Sequence, residues 1–113
     1  MSIPVCKLSD LTEGVGVAAL LPGDRQAAIF RVNTDDGEQL FAVDNVDPYT
    51  GAGVLSRGIV GDAEGRPFIA SPLLKQRFYL DSGESLQGDS VQLRTYTVRV
   101  DESDQDGQVF LED

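Results

Sequence analysis

A chain of 113 residues with 41% hydrophobic content supports one hydrophobic core, so a single domain spanning residues 1–113 is expected. Its 19 acidic residues against 9 basic ones give a net charge of −10, which argues against nucleic acid and anionic membranes as partners. With no histidine and one cysteine, Cys6, the sequence rules out an internal disulfide and any chemistry that needs its own imidazole.

The opening MSIPVCKLSD has neither a basic leader nor an apolar stretch of signal-peptide length, and no apolar run approaches the roughly 18 residues of a membrane span. A cytoplasmic protein is expected. Cys6 reads as a small hydrophobe in an early strand, and Ser9–Glu13 is the one helical candidate, with Ser9 or Asp10 as its cap. Strands follow at residues 16–21, 26–32 and 39–45, separated by the turn residues PGD and TDDG, which predicts a meander. Further strands are expected at 67–70, 77–80 and 93–100; in the last, Tyr96, Val98 and Val100 alternate with Thr95, Thr97 and Arg99, as a half-buried strand requires. Asp81–Glu84 forms a tight turn, and a final strand at 108–111 follows the turn at Asp106-Gly107. Twelve glycines and five prolines divide the chain into short pieces, so the fold class is all-β.

Residues 44–66 read differently, as a long glycine-rich loop nearly free of strand alternation. Asp44, Asp47 and Asp62 could offer oxygen ligands to a hard cation, but Asp-Pro and Gly-Asp are first of all turn chemistry. Glu102–Asp113 matches a calcium loop only loosely, with atypical first and last residues, and reads better as a hairpin turn. Tyr49 and Ser71 carry hydroxyls, yet no histidine exists to act as a base, so no catalytic or metal site is expected.

Two segments carry a resemblance. DPYTGAGVLSRG is similar to the first cluster-binding loop of Rieske domains, C-P-H-x-G-x-x-L-S-x-G, and SPLLKQRFYLDSGE to the second, C-P-x-H-G-x-x-F-x-x-x-x-G. Pro48, Gly51, Leu55, Ser56, Gly58, Pro72, Phe78 and Gly83 preserve the frame, while one extra residue, Gly53 or Val54, lengthens the first loop. The ligands are not preserved: Asp47 and Ser71 stand at the cysteine positions, Tyr49 and Leu74 at the histidine positions, and Lys75 replaces a glycine. Because a Rieske centre needs two thiolates and two imidazoles, no cluster is expected.

Within that class, AVDNVDPYTGAGVLSRGIVGD and ASPLLKQRF resemble the small subunits of assimilatory NAD(P)H-dependent nitrite reductases over nearly the whole chain. The resemblance implies a Rieske-like antiparallel β-sandwich with two ligand-type loops. It also implies a non-catalytic subunit that docks on a large subunit holding FAD, sirohaem and a [4Fe-4S] cluster, with none of these bound by this chain. Rieske loops form one exposed tip, so Arg57, Arg66, Lys75 and Arg77 are expected together there as docking residues, against the plainer reading that they offset nearby carboxylates. Two alternatives stay open: a stand-alone module that binds a partner or a small anion through the basic tip, and a Rieske-type ferredoxin.

Overall fold

The computed structural model describes residues 2–103 and 106–112 and arranges nine strands in two antiparallel sheets. The strands are β1 (Ser2–Lys7), β2 (Val17–Leu21), β3 (Arg25–Thr34), β4 (Gly37–Asp44), β5 (Ile59–Ala63), β6 (Arg66–Ala70), β7 (Arg77–Tyr79), β8 (Thr95–Asp101) and β9 (Gln108–Glu112). The larger sheet has the order β1-β9-β8-β4-β3-β2 and the smaller one β5-β6-β7.

β3 explains how one sheet serves two cores. Ala27, Ala28, Ile29 and Phe30 are all fully buried, so this strand is covered on both faces. Ala28, Phe30 and Val32 point, with Val43 of β4, toward Leu55, Ile69, Phe78 and Leu80 of the smaller sheet and its approaches. Ala27 and Ile29 point the other way and meet Leu21, Ala42, Tyr96, Val109 and Leu111, within the curl of the larger sheet. A strand covered twice needs apolar side chains at consecutive positions, and the run AAIF supplies them. The small sheet is thereby fixed on one face of the larger, and its far end is left to carry loops.

The meander of β2, β3 and β4 and the alternation of β8 match the expected pattern, with Tyr96 buried and Thr95, Thr97 and Arg99 exposed. Three differences have physical causes. Residues 44–66 are not one irregular loop, because β5 occupies Ile59–Ala63 and pairs along its length with β6. Its central Gly61 hid the alternation; a Cβ there would lie 2.4 Å from Phe68 Cζ, so glycine leaves room for the aromatic ring across the pair. The helical turn is a 3₁₀ turn at Leu8–Asp10, earlier than Ser9–Glu13, and Asp10 closes it by accepting a hydrogen bond from the Lys7 amide at 2.9 Å. Leu93 and Arg94 precede β8 instead of opening it, since the Leu93 amide donates to Gly83 O and leaves the ladder. Of the loose calcium-loop pattern at Glu102–Asp113, Asp104 and Asp113 lie outside the described residues.

Candidate functional site

Both loops of interest leave the same end of the small sheet. Ile59 of β5 faces Ala70 of β6, and Ala70 faces Arg77 of β7, so these three residues form one row across that end. The first loop, residues 45–58, enters β5 there, and the second, residues 71–76, joins β6 to β7. Asn45 anchors the first loop. It is buried, its amide nitrogen Nδ2 donates to Gln26 Oε1 at 2.9 Å, and its Oδ1 accepts from the Ser56 amide at 2.7 Å, tying the loop's two ends together.

The two loops repeat one local structure. In Asp47-Pro48-Tyr49-Thr50-Gly51 the Gly51 amide donates to Asp47 O at 2.7 Å, and in Ser71-Pro72-Leu73-Leu74-Lys75 the Lys75 amide donates to Ser71 O at 3.0 Å. The side chain of each first residue accepts from the backbone two residues on: Asp47 Oδ1 from Tyr49 at 2.8 Å, Ser71 Oγ from Leu73 at 3.4 Å. Each turn closes on a left-handed residue, Gly51 at φ +77° and Lys75 at φ +60°. Lysine has therefore replaced glycine without changing the turn, and it carries the steric cost of a Cβ in that conformation.

The two turns are joined at their first residues. Asp47 and Ser71 are both buried, and Ser71 Oγ donates to Asp47 Oδ2 at 2.6 Å. Tyr49 packs its ring 5.8 Å from that of Phe78, and its hydroxyl donates to Asp89 Oδ2 at 2.6 Å, with Ser85 Oγ at 3.2 Å. Hydrogen bonds to Asp89 from Tyr49 first and Ser85 second hold its carboxyl below its ordinary pKa. Leu74 points outward and is 58% exposed, beside Leu73 at 50%.

The four cations expected together divide into two groups. Arg57, Lys75 and Arg77 line one groove of about 490 Å³ with Ile59, Ala70, Ser71 and Pro72. Arg66 does not join them. It pairs with Ala63 at the opposite end of the small sheet, binds Asp81 at 2.8 Å and stacks its guanidinium 3.7 Å from the Tyr79 ring centroid. The remaining carboxyls singled out from sequence are dispersed: Asp44 accepts from Tyr96 Oη at 2.8 Å and Asp62 from the Gly65 amide at 2.7 Å. Cys6 lies on β1, in neither loop, and burial followed by nearby Asp10 pushes its thiol above the ordinary value. Sequence reasoning missed Asn45, the contacts of Tyr49 with Ser85 and Asp89, and the exposure of Ile59, Leu73 and Leu74. An asparagine directly after a strand was a readable signal for the first; the others depend on side-chain direction.

A two-sheet β-domain with a pair of proline-containing turns clasped at one end defines the Rieske class of domains. A model described as "Rieske-like [2Fe-2S] domain" matches residues 2–111. The chain is 43% identical over 96 residues to the Escherichia coli K12 protein named nitrite reductase (NADH) small subunit, covering 85% of this chain and 86% of that one. It superposes on the crystal structure of a Mycobacterium tuberculosis protein described as an NADH-dependent nitrite reductase small subunit with a TM-score of 0.87 at 42% identity, over 98% of this chain and 93% of the other. A third relative is the Klebsiella oxytoca protein named nitrite reductase [NAD(P)H] large subunit, 41% identical over 97 residues, which are 86% of this chain but 10% of that protein. The chain belongs to the Rieske-like [2Fe-2S] domain family, on its branch of nitrite reductase small subunits.

The donor set does not fit the cluster in that family's description. Two thiolates and two imidazoles are required, and the matching positions hold a carboxyl, a hydroxyl, a phenol and an alkyl chain. Asp47 and Ser71 already satisfy one another, Tyr49 is committed to Asp89, and Leu74 has no donor atom.

Proposed function

We propose that this chain is the non-catalytic small subunit of a cytoplasmic NAD(P)H-dependent nitrite reductase and that it works by docking on the large subunit. FAD, sirohaem and a [4Fe-4S] cluster belong to that larger protein, where nitrite is reduced to ammonium. The observation that carries this reading is the Klebsiella oxytoca relative: a segment 41% identical to this chain forms 10% of a protein named as the large subunit, so there the domain and the rest of that protein are one polypeptide. A covalent link raises effective concentration and removes the need for tight docking, whereas a separate chain must recognise its partner through its own surface. The contents of the two loops support the same reading, because the former ligand positions are used for hydrogen bonds and packing in place of metal coordination.

The test is reconstitution in two parts. The chain alone, supplied anaerobically with iron and sulfide, is expected to stay colourless and to reduce no nitrite with NADH or NADPH. Mixed with the large subunit, it is expected to co-elute as a complex. Stoichiometric iron with a Rieske-type spectrum in the isolated chain would overturn the cluster-free reading, and failure to form any complex would overturn the subunit reading.

A further inference from the structure

The end of the small sheet combines a cluster of cations with exposed apolar side chains. The chain has 19 acidic and 9 basic residues, yet three of the nine, Arg57, Lys75 and Arg77, line one groove with no acidic residue among its lining. Among the described residues none of these three forms an ion pair. The groove also has an apolar wall: Ile59, which lines it, is 75% exposed, and Leu73 and Leu74, on the loop between the lining residues Pro72 and Lys75, are 50% and 58% exposed. A single exposed isoleucine or leucine is ordinary, but Ile59 in a cation-lined groove, with Leu73 and Leu74 exposed on the loop between two of its lining residues, gives the apolar part and charged margin of a recognition surface.

The placement is rigid, because Ile59, Ala70 and Arg77 are neighbours in the β5–β6–β7 ladder and the two loops beside them are clasped by the Asp47–Ser71 hydrogen bond. A preorganised surface of this kind loses little entropy on binding. Lys75, which lines the groove with Arg77, sits in a left-handed turn that carries a conformational cost for a residue with a Cβ.

We infer that the groove between the two loops is the face that docks on the nitrite reductase large subunit, and that it takes an apolar side chain of that subunit flanked by carboxylates. This rests on the reading of the chain as a small subunit. The apolar part of the surface supplies the buried contact and the three cations fix its register and speed association. Arg66, at the other end of the sheet and already paired with Asp81, has no part in it.

The test is the dissociation constant for the intact large subunit at low and moderate salt, with circular dichroism as the folding control. Lys75→Glu with Arg77→Glu is expected to weaken binding at least tenfold and to reduce its salt dependence, and Leu74→Ser with Ile59→Ser to weaken it by a similar factor at either salt. Leu20→Ser, which changes an exposed leucine of β2, and Arg66→Glu are expected to bind as the unaltered chain does. If the unaltered chain binds and both groove variants bind equally well, the docking face lies elsewhere and the inference fails. If the unaltered chain does not bind the large subunit at all, the small-subunit reading fails instead.

Discussion

At Asp47 and Ser71 the chain has exchanged one way of joining two loops for another. Where a Rieske domain would tie its loops through metal, these residues tie them through a 2.6 Å hydrogen bond out of contact with water. Ser71→Ala leaves a buried carboxyl oxygen without its donor and is expected to cost about 1–3 kcal/mol. In a urea double-mutant cycle with Asp47→Ala the two losses should couple by more than about 0.5 kcal/mol, and simple additivity would mean that the clasp contributes nothing. The two closing residues of the turns allow a second comparison. A Cβ at Gly51 meets nothing within 4 Å, so Gly51→Ala isolates the cost of φ +77° and should destabilise by about 1 kcal/mol. Lys75→Gly removes a Cβ from the same conformation and should leave stability unchanged or slightly raised; a clear loss in urea would show that the lysine side chain itself supports the loop. The motif frame allowed the sequence to place Asp47, Tyr49, Ser71 and Leu74 at equivalent positions. It did not reveal that the first and third bond to each other across 24 residues, because that depends on where β5 and β6 carry the loops.

Among the elements, β8 and β4 are joined by a short ladder, Ala42 to Tyr96 and Val43 to Thr95, reinforced by the Tyr96 hydroxyl donating to Asp44 Oδ1 at 2.8 Å. Burial, and then this hydrogen bond, push the phenol up to about 12 from its ordinary 10.0. Since the folded pKa is the higher, the stability that Tyr96 contributes is complete below about pH 10 and is lost as the pH rises toward 12. Tyr96→Phe should therefore cost about 1 kcal/mol at neutral pH and flatten the alkaline limb of stability against pH; an unchanged alkaline limb would place the titration elsewhere. Alternation made β8 legible in the sequence, and turn residues made the β2–β4 meander legible. β5 was not, because Gly61 interrupts its pattern to admit the Phe68 ring, a contact that exists only once β5 and β6 are paired.

Across the molecule, the absence of histidine has a thermodynamic consequence. Asp81, Asp89 and Glu112 titrate below the ordinary carboxyl values of 3.8 to 4.5, led respectively by hydrogen bonds from Arg66, Tyr49 and Ser2, while Cys6 titrates above 9.0. The depressed carboxyls contribute stability that is present above those ordinary values and lost as the pH falls through their folded ones. With no histidine in the chain, no side-chain type present has its ordinary value between about pH 5 and 7, so the midpoint of thermal unfolding should stay level there and fall only in stronger acid; a slope inside that window would contradict it.

The all-β class followed from glycine and proline punctuation and from period-two runs, because both are local properties of the chain. The poor fit to a cluster also followed from the sequence, since no fold can supply a missing imidazole or thiolate. What the tertiary structure decided was grouping. Arg57, Lys75 and Arg77 share a groove while Arg66 stands at the far end of the same three strands, because strand register, not distance along the chain, sets which side chains meet. Asp47 and Ser71 became a pair, and Ile59, Leu73 and Leu74 were left exposed, for the same reason: each depends on the direction a backbone takes after two sheets have packed against each other.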